Sequence, residues 1–122
     1  MDAYGSHVSS DQYVSVVLHQ NPGVTLIEVS GELDLRSVHH LEGCVSRALA
    51  EGDRKPIHID MGNVSFVDCA GLEPLIRAAA SLQNGRVLKI TSASRRVRRL
   101  MELMGEVGIP VDESSAHIVS GV

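Results

Sequence analysis

The stretch Asp60-Met-Gly-Asn-Val-Ser-Phe-Val-Asp-Cys-Ala-Gly-Leu72 joins a β-strand to an α-helix. A short apolar run at 57–61 leads into it and stops at an acidic residue and a glycine. A second acid, Asp68, then precedes the small residues Cys69, Ala70 and Gly71. Beyond them Leu72, Leu75, Ile76, Ala79 and Leu82 recur at helical spacing. Pro74 is expected in the first turn of that helix, where its missing N–H costs little. Asn84-Gly85 supplies the stop. Such a turn puts Asp68–Gly71 at the carboxyl edge of a sheet, where α/β proteins bind ligands. The helix beginning near Ala70 directs unpaired N–H groups at that edge.

Working outward, 13–19 alternates with Val14, Val16 and Leu18 on one face and reads as a strand. Gln20-Asn-Pro-Gly23 is turn chemistry. Residues 24–30 form a second strand, apolar on both faces, and the tight link makes the two an antiparallel hairpin. Gly31–Arg36 is a loop, and Ser37 is placed as the N-cap of a helix. That helix carries the stripe Val38, Leu41, Val45, Ala48 and Leu49 and runs to about Glu51. After the strand and helix of the central stretch come a strand at 86–91 and a third helix. Ser94 caps it, Val97, Leu100, Met101 and Met104 make its stripe, and Gly105 closes it. Residues 109–111 read as a short last strand, and 117–122 as a weakly patterned end. Residues 1–11 are polar and read as a flexible tail. The order β-β-α-β-α-β-α-β implies a single α/β domain. Its mixed sheet begins with the antiparallel hairpin and continues as right-handed β-α-β units with packed helices.

The chain of 122 residues is 43% apolar, enough for one domain to bury a core without metal or disulfide support. A net charge of −4, no Trp, one Phe and two Tyr leave neither a basic footprint nor stacking platforms, so nucleic acid is not expected as a partner. Two cysteines do not make a secreted disulfide scaffold. No apolar run reaches the roughly 20 residues of a membrane span, and no signal-peptide core is evident. A cytoplasmic protein is expected.

The central stretch resembles the phosphorylation-site motif of STAS domains, a family that includes bacterial anti-sigma factor antagonists and the cytoplasmic tails of sulfate transporters. The resemblance spans about residues 13–112. It includes Gly31-Glu-Leu-Asp34, the Asp68-Cys-Ala-Gly-Leu72 turn and Ser94-Arg-Arg-Val-Arg-Arg-Leu-Met-Glu-Leu-Met-Gly105. It implies a STAS domain over 12–122. It also implies docking onto an anti-sigma factor of kinase-like ATPase fold through Glu32, Asp34, Asp68, Cys69, Ala70, Gly71 and Leu72, with no cofactor and no catalytic residue. Gly71 is expected to allow close approach of the partner's backbone. The family usually carries a phosphoacceptor Ser where this chain has Cys69. Phosphate on that Ser adds nearly two negative charges and breaks the interface. With Cys69 there, either the switch is absent or the thiol replaces it through oxidation.

Two other readings stay open: a STAS adaptor subunit of a transport or signalling assembly, and a thiol enzyme with Cys69 as nucleophile and a distant His19 or His58 as base. The sequence also leaves open a homodimer and a modification at Ser65. Glu32, Asp34 and Asp68 at one edge could raise a carboxyl pKa. Arg95, Arg96, Arg98 and Arg99 read as a solvated helix face, with Arg98 able to pair with Glu102. Leu103 falls off the apolar stripe and is expected exposed. His39 and His40 are adjacent, so their rings are not expected to share a helix face. No ligand spacing supports a metal site. Cys44 and Cys69 are too far apart for a bridge.

Overall fold

The computed structural model describes residues 5–51, 54–83 and 85–112. Five strands make one sheet: β1 (Gly5–Ser10), β2 (Val14–Gln20), β3 (Thr25–Leu33), β4 (Ile57–Val67) and β5 (Leu88–Ala93). Three helices follow the parallel part: α1 (Val38–Ala50), α2 (Cys69–Ser81) and α3 (Arg95–Met104). The spatial order equals the chain order. β1, β2 and β3 are antiparallel, whereas β3, β4 and β5 are parallel. The sheet advances by one strand at each β-α-β unit. Right-handed crossovers therefore place α1 and α2 on the same face, where they pack together.

Alternation explains which face is covered. Val14, Val16 and Leu18 of β2, Ile27 and Val29 of β3, and Ile57, Ile59 and Met61 of β4 are all at most 3% exposed. Leu41, Cys44 and Ala48 of α1 and Leu72 and Leu75 of α2 join them in one core. The core is aliphatic throughout, as the shortage of aromatic residues requires.

Three expectations are corrected. The segment read as a flexible tail contains β1, which pairs with β2 from Gly5↔Gln20 to Ser10↔Ser15. Its side chains show no apolar alternation because it is an exposed edge, held by main-chain bonds and by Ser6–His19 and Ser9–His40 contacts. The strand expected to stop at Met61 runs on to Val67. Gly62 is not a terminator. It sits at a bulge, where the β3–β4 register jumps from Glu28↔Asp60 to Ser30↔Asn63 and the Asp60 carboxylate accepts the Gly62 N–H at 3.0 Å. Pro74 lies inside α2, past its first turn, since the helix begins at Cys69.

β3 runs three residues past its expected end, to Leu33, taking in the first half of the expected 31–36 loop, and the other boundaries move by a residue or two. Ser94 caps α3 by accepting the Val97 N–H, and Gly105 closes it at φ 82. The strand expected at 109–111 is a single parallel bridge, Ile90↔Val111. Asn84 and 117–122 lie outside the described residues.

Candidate functional site

The bend after β4 is assembled against the end of β3. Glu32 pairs with Phe66 and Leu33 with Val67, and the Asp68 N–H reaches the Leu33 carbonyl at 3.4 Å. Two loops therefore share one sheet edge: 34–37, leading into α1, and the Asp68–Gly71 bend, opening α2. A second bulge, between Gly31↔Val64 and Glu32↔Phe66, lengthens β4 by one residue here. Val64 and Val67 remain buried while Ser65 and Phe66 turn to solvent.

Asp68 is the N-cap of α2: its carboxylate accepts the Gly71 N–H at 3.0 Å. Cys69 occupies the first helical position and is exposed; Ala70 is half-buried. Gly71 is buried, and a Cβ there would collide with the Leu33 carbonyl. The close approach that needs this glycine is thus within the chain, not to a partner. Leu72 is fully buried in the core and cannot form part of a docking surface. Of the residues expected to meet a partner, Asp34 is also mostly covered, at 8% exposure.

The neighbouring loop is braced from within. The Arg36 guanidinium donates to both Asp34 oxygens, at 2.7 Å from Nη2 and 3.2 Å from Nε, and to Glu32 Oε1 at 3.0 Å. It also lies 4.0 Å over the Tyr13 ring. Ser37 begins α1 but does not cap it through its side chain. Its hydroxyl instead donates to the Glu32 carbonyl at 2.7 Å and accepts the Asp34 N–H at 3.2 Å, tying the loop closed.

The electrostatics differ from a cluster of repelling acids. Hydrogen bonds from the Arg36 side chain, and then from its backbone N–H, hold the Asp34 carboxyl below its usual range against the opposing effect of burial. The same pairing raises Arg36. Asp34 is a fixed anion that positions Arg36, not a group poised to take up a proton near neutrality.

Two apolar side chains that sequence reasoning did not assign complete the edge. Leu35 is 78% exposed and Phe66 40% exposed. Their signal was available: an apolar residue between two charged ones in the 34–37 loop, and the one Phe of the chain beside the Asp68 turn. Cys69, Leu35 and Phe66 are thus exposed, uncharged side chains on segments that share this sheet edge.

The bases considered for a thiol enzyme lie elsewhere. His58 is the second residue of β4, nine residues before Val67, so roughly 30 Å of extended strand separates it from the bend. His19 bonds to Ser6 and Glu28 near the same far end of the sheet. Cys44 is buried and both cysteines are free. Arg98 makes no ion pair with Glu102 among the described residues, and its Nε is buried without a partner. Leu103 is 72% exposed, as expected. The rings of His39 and His40, expected to diverge, lie with their centroids 4.1 Å apart at the start of α1. No described helix is long and apolar enough to cross a membrane.

The family model of the STAS domain matches residues 15–117. The anti-sigma-B factor antagonist of Staphylococcus epidermidis is 34% identical over 80 residues, which cover 65% of this chain and 73% of that protein. The anti-sigma-F factor antagonist RsfB of Mycobacterium tuberculosis is 29% identical over 100 residues, 80% of each chain. Among solved structures, an anti-sigma factor antagonist from Mycobacterium paratuberculosis superposes with a TM-score of 0.76 at 22% identity, covering 93% of this chain and 97% of that one. The unphosphorylated form of the anti-sigma factor antagonist SpoIIAA gives 0.58 at 18% identity, over 97% and 98%. At these identities the structural likenesses speak for the fold alone, and they agree with the five-stranded mixed sheet described above. Sequence match, strand order and the Asp68-capped bend together assign the chain to the STAS domain family.

Proposed function

We propose that this protein is an anti-sigma factor antagonist: it binds an anti-sigma factor of kinase-like ATPase fold and so frees a sigma factor, acting inside the cell without touching DNA itself. The observation that carries the reading is the exposure of Cys69 at the first position of α2, on the sheet edge that also carries the exposed Leu35 and Phe66. A partner that covers this margin buries apolar surface of two loops at once, and removing apolar surface from water favours association. Glu32, Asp68 and Ala70 flank the contact. Asp34, Gly71 and Leu72 shape it from beneath.

By the family resemblance Cys69 holds the phosphoacceptor position. A serine kinase transfers phosphate to a hydroxyl, so the thiol removes the phosphorylation branch at this residue. The unmodified surface then stays competent to bind, and control passes to abundance or to oxidation of the exposed thiol. The similarity to antagonists named for sigma-B and sigma-F systems supports the class of partner.

Co-purification with the untagged chain under reducing and oxidising conditions tests the reading. Recovery of an anti-sigma factor in the reduced sample is expected. Recovery of transporter subunits in its place would favour the adaptor role and contradict the antagonist role.

A further inference from the structure

We propose that Asp11, His39 and His40 form a binding site for one borderline divalent transition ion of the Zn2+ class. Asp11 comes from the turn between β1 and β2, and the two histidines from the first turn of α1. One ligand atom from each lies within 4.8 Å of the others. Around Zn2+, with bonds of about 2.0–2.2 Å, ligand atoms one tetrahedral angle apart stand ~3.4 Å from each other. Small side-chain rotations bring the three atoms to that spacing and leave a fourth position for water.

Two of the three ligands are already oriented by outer partners, as in built metal sites. The Nδ1 of His40 faces the Ser9 hydroxyl at 2.6 Å, which turns its Nε2 toward Asp11 Oδ2 at 2.9 Å. Asp11 Oδ1 accepts the N–H groups of Tyr13 at 2.7 Å and Val14 at 3.1 Å, so Oδ2 is the oxygen left to face the histidines. His39 is exposed, with its ring centroid 4.1 Å from that of His40 and the two planes tilted by 37°.

Besides those rotations, metal entry calls for the His40 Nε2 lone pair to face the ion. Without metal, Nε2–H donates to Asp11 and Nδ1 accepts from Ser9. With metal, Nδ1–H donates to Ser9 and the Nε2 lone pair faces the ion. The dipole of α1 opposes a cation at its N-terminus, and the Asp11 charge offsets this. The ion clamps the β1–β2 turn onto the start of α1. That helix follows the Arg36–Ser37 loop, and Tyr13, which Asp11 holds through its N–H, lies under Arg36. The site is independent of the partner proposed above.

Titration of the untagged full chain with Zn2+ against a colorimetric chelator, paired with thermal scans, tests the site. One equivalent is expected to bind and to raise Tm. Ser9→Ala, which removes an outer partner, is expected to weaken binding roughly 10–100-fold. His39→Ala is expected to weaken it at least about tenfold while leaving the metal-free Tm unchanged, since the exposed ring makes no hydrogen bond among the described residues. Failure of the native chain to take up Zn2+, or equal affinity in His39→Ala, would overturn the proposal. So would binding abolished by Cys69→Ser and kept in His39→Ala.

Discussion

The Leu33 carbonyl occupies the space that a side chain on Gly71 would need, so the last residue of β3 and the first turn of α2 are in backbone contact. The bend that exposes Cys69 is therefore set by the core, not by the bend alone. Gly71→Ala forces one of these backbones to move. We expect a loss of about 1–3 kcal/mol, the usual range for overpacking, read as a lower urea midpoint. An unchanged midpoint would mean the two backbones are not so close in solution.

Asp68 holds the same bend from the other side, through its bond to the Gly71 N–H. Asp68→Ala should cost about 0.5–2 kcal/mol, as expected for a lost N-cap. Asp68→Asn keeps an accepting oxygen and should retain most of that stability. Thermal scans of the two variants separate capping from a purely electrostatic effect: if they fall equally, the charge matters and the cap does not.

Asp34 gives a pH dependence with a defined sign. Arg36 lowers its carboxyl below the ordinary value of 3.8, so the native state binds the proton more weakly than the unfolded state does. The stabilisation is fully present above pH 3.8 and is lost as pH falls through the lower native value. Asp34→Asn removes it. The variant should lose less stability than the native chain on acidification below pH 3.8. Urea midpoints measured across that range check this, and parallel curves would contradict it.

Cys69→Ser restores the hydroxyl that the family usually carries. We expect it to leave partner binding intact and to allow phosphorylation. Incubation with the cognate kinase and ATP, followed by intact-mass measurement, reads the result. No mass gain in the variant would mean that more than this one atom separates the chain from the usual switch.

The parallel half of the fold was legible because its signals are local. Leu72, Leu75 and Ile76 mark α2 by spacing, and Ser94 and Gly105 mark the ends of α3. The remainder depends on contacts between segments. β1 offers little but backbone to its neighbour, so its Ser-rich sequence looks like a tail. In β4 each bulge inserts one residue and turns a two-residue period into a three-residue step, from Met61 to Val64 and from Val64 to Val67. The strand pattern is thereby erased at the point where Phe66 is turned outward. Ser37 has the composition of a cap, yet its hydroxyl serves the loop before it. At the site, spacing located the Asp68–Gly71 bend. It could not say that Gly71 and Leu72 face the chain's own interior, nor that Arg36 neutralises the acids beside it. The pairing of Asp11 with His40 joins residues far apart in sequence, and nothing local announces it.

The central claim is that another protein covers the margin formed by Cys69, Leu35 and Phe66. Calorimetric titration of the cognate anti-sigma factor with the native chain and with Cys69→Asp tests it directly. A charge left unpaired in a buried contact costs about 3–5 kcal/mol, so affinity should fall by at least a hundredfold. Equal affinity of the two proteins would contradict the account.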